Sequence, residues 1–489
     1  MYRTELHHGR EPDAAMIRVM AFRHSMTVLH RFVAMGCMTR HIAAVRMLII
    51  SLPVSLLAAC GSRARLPIEA TIGPSPTLSQ PQRALIPVVK VAKATGWPAG
   101  TTPQGADGLR VNAFATGLDH PRWLLALPNG DVLVAETNAP PRPDDNRGIK
   151  GWFVRRFQKK AGGAVPSANR ITLLRDTNAD GVADRRFVLL ANLNSPFGMT
   201  LAKGDLVVAN SDALLRFPYR DGDTTITSTG TRIAELPAGS RNHHWTKNVI
   251  ASPDGATLYV AIGSNSNAAE HGMSVEVDRA MVWAVDARTG AHRVYASGLR
   301  NPVGMAWEPT TTALWVAVNE RDEIGGDLVP DYMTALREGA FFGWPYSYFG
   351  PHLDARVKPQ RPDLVATAVV PDYALGAHTA SLGLAWSGVN ALPATYATGM
   401  FVGQHGSWNR NPRSGYKVIF VPFRDGRPAG PALDVLTGFI SASGDAMGRP
   451  VGVAIDATGA LLVADDVGNA IWRVTGRMRS PPPGPPSGR

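Results

Sequence analysis

The chain has 489 residues, 45% of them apolar, with 49 Gly and 38 Pro, a balance that suits many short strands joined by turns. Its net charge of +11 gathers at the two ends. The first 60 residues hold seven arginines against three acids, and Arg473, Arg477, Arg479 and Arg489 close the chain. With the charge placed there, and no zinc-finger spacing or RNA-binding signature, no nucleic-acid partner is expected.

Taken in order, the chain opens on a leader, residues 1–60. Met47–Ala59 is an apolar run of thirteen residues preceded by Arg40 and Arg46. It is too short for a permanent membrane span and suits the core of a signal peptide. Leu57-Ala58-Ala59-Cys60 resembles a bacterial lipobox, which implies lipidation at Cys60 and a membrane-anchored protein on the periplasmic side of a bacterial cell envelope. A plain secretory signal, or a buried helix with an incidental cysteine, is the alternative. Met35 or Met38 would be the natural start for such a signal. The other cysteine, Cys37, also precedes the body of the chain, so no disulfide or cysteine-held metal is expected there. Residues 61–108, rich in Pro, Ser and Thr, read as a flexible tether. Residues 477–489 read as a disordered Pro/Arg-rich tail.

Between them, residues 109–476 carry a repeat. Each copy opens on a polar residue, continues with apolar residues, turns, and ends in an apolar strand with polar residues behind it. The copies begin at His120, Ser195, His244, Asn301, Ala380 and Arg449, and turns such as Asn129-Gly130 and Asp254-Gly255 fit paired strands. Six copies of a few strands each predict an all-β, six-bladed β-propeller with inserted loops. The start and finish of each hairpin then share one rim, so His120, Glu136, Asn210, His244, Ser264, Asn265, Arg300, Asn301, Asn319, Glu320, His405, Arg449 and Asp466 converge on a polar funnel.

His244 is the candidate base, because a neutral imidazole takes a proton near neutral pH. His243 competes with it, since neighbours in an extended strand point to opposite faces. Arg300-Asn301 and Arg449 open two copies, and two inward guanidinia suit an anionic ligand. Two stretches have calcium chemistry, with solvated acidic turns as the alternative. One is the acid-rich loop Asn319–Asp331, where backbone carbonyls at Arg321 and Asp322 could contribute. The other is the run Asp176, Asn178, Asp180, Gly181, Asp184, expected as a structural calcium loop on the rim, with Phe187 where a twelfth-position acid would stand. The basic segment 147–160 could lie on anionic lipid or be a solvated insertion. Trp344 and Trp408 could cover a flat ligand or pack between blades.

HHWTKNVIASPDGATLYVAIGS, GLRNPVGMAW, NERDEIGGDLVPDY with FGWPYSYFG, GSWNRNPRSGYKV and GRPVGVAIDATGALLVADD together resemble the glucose/sorbosone dehydrogenase family, closest to its sorbosone-dehydrogenase-like branch. These are soluble sugar dehydrogenases that use pyrroloquinoline quinone (PQQ). The resemblance covers roughly residues 109–474 and implies a six-bladed propeller with the quinone and Ca2+ in its funnel. It implies that His244, nine residues before Pro253, is the base, that Arg300-Asn301 and Arg449 bind the cofactor, and that calcium sits near Arg321-Asp322. It further implies oxidation of a sugar or small polyol, with electrons passed to a separate quinone or cytochrome. The chain departs from the family's best-known members in four places. Arg321-Asp322 replaces Gly-Pro at the calcium site, Ser264 replaces an acid, Lys247 replaces Gly, and for a cofactor-contacting lysine both Arg413 and Lys417 compete. Two rivals remain, a calcium-dependent lactonase using Asn210, Asn265, Asn319 and Glu136, and a non-catalytic binding propeller.

Overall fold

A computed structural model describes residues 63–82, 88–144 and 148–477. Cys60 and nearly all of the expected tail lie outside them. Almost every regular element is a strand, and the strands form six sheets of four or more.

Blade one holds Pro121–Ala126, Val132–Glu136, Arg170–Arg175 and Arg185–Leu190; blade two holds Met199–Ala202, Asp205–Ala209, Ala213–Pro218 and Thr231–Glu235. Blade three holds Lys247–Ala251, Thr257–Ile262, Met281–Asp286 and His292–Ser297, and blade four Pro302–Glu308, Ala313–Val318, Pro330–Ala335 and Tyr373–Ala377. Blade five holds Ser381–Trp386, Gly399–Gln404, Lys417–Arg424 and Leu433–Thr437. Blade six takes three strands from the end of the domain, Pro450–Ile455, Leu461–Asp465 and Ala470–Gly476, and its fourth, Leu109–Thr116, from the beginning. The inner strands touch in sequence and the sixth touches the first, so the ring closes. The expected six-bladed propeller is therefore the observed fold.

The repeat has a steric cause. A Gly stands three residues into four of the six copies, at Gly198, Gly304, Gly383 and Gly452, with Trp123 and Lys247 at that place in the other two. A Cβ at Gly383 would stand 2.1 Å from Val451 O on the next inner strand, and one at Gly198 would stand 2.4 Å from Val249 N. Inner strands crowd near the axis, and only a bare backbone fits. Each gap between blades is then filled by its own apolar cluster, such as Val249, Leu258 and Val260 against Val207 and Leu214 between blades two and three.

The stretch expected as a tether differs. Ile72–Gly73 pairs with the outer strand of blade four, and Gln104–Gly105 pairs with that of blade five. Arg65 N and Leu66 N donate to Asp327, whose other oxygen takes Arg410 Nη2 at 3.1 Å. Sheet edges and a buried carboxylate supply partners that a composition-based reading cannot foresee. The basic segment contains a helix, Gly148–Lys160, inserted between the second and third strands of blade one with Trp152 exposed.

Gly383→Ala is expected to lower unfolding stability by about 1–3 kcal/mol, because Val451 O is backbone and cannot turn aside. Chemical denaturation checks this; a cost near zero would show that the inner strands are not in van der Waals contact there.

Candidate active site

Each inner strand runs away from the rim and the second strand returns to it. The links between second and third strands therefore lie at the funnel end. Blades one, three, four and five have long insertions there, and these build the site together with residues 336–372, the link between the third and fourth strands of blade four, which brings in Trp344 and Arg356.

His244 stands just ahead of blade three's inner strand. Its Nδ1 lies 2.8 Å from Ser264 O and 3.0 Å from Ser264 Oγ, while that hydroxyl donates to Ser266 O at 2.6 Å. A carbonyl only accepts, so Nδ1 carries the proton and Nε2 keeps a free lone pair. Ser264 N in turn donates to Arg300 O at 2.8 Å. A Cβ at Gly263 would fall 2.3 Å from Asn301 Oδ1 and 2.5 Å from His244 Cβ, so these three residues meet across a bare backbone. Burial holds the His244 pKa well below its ordinary 6.5, and the neighbouring Arg300 and His243 add to the effect. His243 is held through its backbone: its N donates to Asn265 Oδ1 and its carbonyl accepts Arg142 Nη1 at 2.8 Å.

Arg300 is almost fully buried and bound on every side. Its Nε donates to Asn267 O, Nη1 to Glu320 O at 2.7 Å, and Nη2 to Asn267 Oδ1 and Asp322 Oδ2. Trp344, a candidate cover, is buried and donates to Asn267 O at 3.1 Å. It braces the carbonyl that orients Arg300. Lys247 turns its amine into the wall, onto Trp245 O at 3.1 Å and Asn242 Oδ1, with no exposed surface.

Across the axis, blades five, six and one bring a second group together. Asp466 accepts Arg122 Nη1 at 2.6 Å and His405 Nε2 at 2.8 Å, and His120 Nε2 lies 3.6 Å away. Burial pushes the His405 pKa down to about 4 despite Asp466. Arg449 stands beside them with Nη2 3.3 Å from Tyr416 OH and its guanidinium 5.3 Å from the Tyr416 ring centroid. Its buried Nε meets no acceptor.

Other sequence candidates fall elsewhere. Arg413 Nε donates to Lys90 O, and Lys417 pairs with Asp434 at 2.6 Å on an outer strand. His405 and Tyr416 are the residues of that blade placed beside Arg449. Trp408 lies on a rim loop, partly exposed, with its carbonyl on Lys90 N. The Asp176–Asp184 run links the third and fourth strands of blade one, at the end opposite the funnel rather than on the rim. There Asp176 takes Gly181 N, Asn178 takes Asp180 N, Asp180 takes Val182 N, and Asp184 takes Thr177 N. Arg122, Asn267, Arg356, His378 and Asn409 were not singled out from sequence. Four of them lie in loops outside the repeat, and Arg122 sits within a strand where the pattern points to packing.

A family model described as TrAA12-like matches residues 103–331 and 363–477. The chain belongs to that family. It is 29% identical over 245 residues to an uncharacterized protein of Borreliella burgdorferi, covering 49% of this chain and 63% of that one. It is 26% identical over 361 residues to the pyrroloquinoline quinone-dependent pyranose dehydrogenase of Coprinopsis cinerea, covering 65% and 44%. The chain thus spans less than two thirds of either relative. The holo PQQ domain of pyranose dehydrogenase from Coprinopsis cinerea superposes with a TM-score of 0.61 at 21% identity, over 79% of this chain and all of that one, which establishes the common fold.

The His244 geometry has a titration consequence. A folded-state pKa below the ordinary 6.5 means that the unfolded chain takes up the proton first as pH falls. His244 therefore subtracts stability once the pH drops below 6.5. Imidazole NMR should show the Nδ1–H form persisting well below that pH, and Arg300→Gln should move the midpoint upward. A midpoint at or above 6.5 would contradict the arrangement.

Proposed function

We propose that this chain is a PQQ-dependent sugar dehydrogenase, oxidising an aldose- or sorbosone-type sugar or a related polyol or aldehyde. The observation that carries this is the neutral His244, its Nε2 free, in one corner with Arg300 and Asn301. Membership of the TrAA12-like family and the C. cinerea relative support the same reading.

The residues present suit the quinone. It is a flat polycarboxylate, and Arg449 is a buried guanidinium short of acceptors, with Nε unpaired. Asn301 Oδ1 is likewise buried without a donor, and Arg300 presents a fixed positive charge. When bound, the quinone would supply the hydride acceptor. His244 Nε2 takes the proton of the substrate hydroxyl, and the Nδ1–H bond to Ser264 O keeps the ring from turning. Arg300 holds its position through its own carbonyl partners and needs no reorganisation as charge develops. Calcium does not fit the Asp322 carbonyl, because Asp322 O already accepts Arg356 Nη1 at 2.8 Å and Asn267 Nδ2 at 3.1 Å.

The lactonase reading has weaker footing. Glu136 is bound to Arg170 and Thr172, Asn265 to His243 N and Val275 O, and Asn319 to Arg300 and Asp331. Those three groups are used up within their own walls. Our reading also places the protein in the bacterial envelope on the periplasmic side, lipidated at Cys60, with a separate quinone or cytochrome as electron acceptor. The lipobox carries that part, and loss of membrane association in Cys60→Ser tests it.

With quinone added, His244→Ala should lower kcat by about 10²–10⁴-fold, and His243→Ala by only a few-fold. Steady-state assays with an artificial acceptor decide between them; the reverse pattern would transfer the role to His243. The acid limb of kcat/KM should lie well below pH 6.5, because only neutral His244 accepts a proton.

A further inference from the structure

We infer that the quinone seat carries no divalent cation at Asp322, and that the Arg356 guanidinium, clamped by Asp354, takes the place a cation would need there. This inference rests on the dehydrogenase reading.

The first ground is the acceptors. A carbonyl oxygen has two lone pairs, and both of those on Asp322 O are engaged, by Arg356 Nη1 and Asn267 Nδ2. The Asp322 carboxylate is no freer. Its Oδ1 accepts Asn409 Nδ2 at 2.7 Å and His378 Nδ1 at 3.2 Å, and its Oδ2 accepts Arg300 Nη2 at 3.3 Å. Calcium needs about 6–8 oxygens turned toward it. Here the oxygens of Asp322 are turned toward protein donors instead.

The second ground is charge. His378 donates its other nitrogen to Gly325 O at 2.9 Å, so both nitrogens face acceptors. Arg321 is wholly buried, on Glu320 Oε2 at 3.0 Å, Asp354 Oδ2 at 3.3 Å, Pro345 O and Ser347 O. Three carboxylates, Asp322, Asp354 and Glu320, thus face three guanidinia, Arg300, Arg321 and Arg356, with His378 beside them. Asp331, on the next strand, is pushed by burial up to about 6 and accepts from Glu320 N, Ser381 N and Thr379 Oγ1. Asp322 and Asp354 are thus each already paired with a guanidinium.

The third ground is how firmly Arg356 is held. Asp354 grips it in a fork, with Nε at 2.9 Å and Nη2 at 2.6 Å, leaving Nη1 for Asp322 O. Gln360 Nε2 fixes Asp354 O at 2.8 Å from behind. A guanidinium locked in this way keeps Nη1 on Asp322 O and leaves that oxygen closed to a metal ion.

The test uses chelator-washed protein. PQQ binding is followed by tryptophan fluorescence with EDTA present, and again with millimolar calcium chloride. The two dissociation constants should agree within about threefold, and Arg356→Ala should weaken binding in EDTA by about tenfold or more. Arg356→Lys should recover only part of that loss, since it keeps the charge but not the fork. Far-UV circular dichroism confirms that each variant is folded. Binding that appears only with calcium overturns the inference, as does a calorimetric calcium site lost in Asp322→Ala. If PQQ binds under neither condition, the dehydrogenase reading itself fails and this inference goes with it. A calcium requirement in protein that does bind PQQ removes the inference alone.

Discussion

Closure of the ring is the constraint on which everything else depends. Leu109–Thr116 pairs with Ala470–Gly476 and joins the two ends of the domain in one sheet. Without that pairing the sixth blade would lack its outer strand, and the apolar faces of Phe114, Leu462 and Ile471 would lose the cluster they form with Leu124 and Val134 of blade one. Closure also brings the inner strands close enough for glycine to be required where they cross. The site inherits its precision from this. His244, Arg300 and Arg449 belong to three different blades; Ser264 ties the first two together by hydrogen bonds, and the closed ring sets Arg449 across the axis from them.

Within the rim, buried acids do the local bracing. Glu136 accepts Asp119 N, Glu276 accepts Asn265 N, Asp331 accepts Glu320 N and Ser381 N, and Asp465 accepts Arg449 N and Gly468 N. Glu136, Asp331 and Asp465 sit near strand ends and Glu276 in a short helical turn, and each takes backbone amides that the ladder leaves without partners. Such acids look like metal ligands or catalytic groups when read along the chain. In space their oxygens are aimed into the wall, and they orient the residues that do face the funnel. Asn265 and Arg449 are both placed in this way.

That difference explains what could be read from the chain and what could not. The number of blades was legible because a steric requirement repeats: Gly198, Gly304, Gly383 and Gly452 occupy one place in four copies. His244 and Arg300-Asn301 were legible because they sit at a fixed phase of that repeat. Arg356, His378 and Asn409 sit at no phase at all. Arg356 and Asn409 come from insertions and His378 from the short link between blades four and five, and all three converge on Asp322. The Asp176–Asp184 run was misplaced for a related reason. Its spacing describes a turn correctly, but it follows a third strand, which ends on the far side of the ring. The docked segment Ile72–Gly73 is the same lesson in another form, because Pro- and Ser-rich composition carries no information about a free sheet edge nearby.

The two sides of the funnel differ electrostatically, and this bears on how a proton and an anion are handled together. On the side of blades three and four, Arg300 is held by carbonyls and by Asp322, so its charge stays fixed beside His244. Burial and that charge keep the imidazole neutral, so the same guanidinium that suits an anionic ligand also preserves the free lone pair of the base. On the side of blades five, six and one, His405 is backed by Asp466 yet is also held neutral, because burial outweighs the carboxylate and Arg449 and Arg122 oppose a further positive charge. Asp466 itself is kept ionised by Arg122 and by the hydrogen bond from His405 Nε2, against the pull of burial. The funnel thus places fixed cations on both walls and keeps the histidines between them uncharged. An anionic cofactor would be held by the arginines, and the proton taken from substrate would pass to a ring whose partner is a backbone carbonyl rather than an acid.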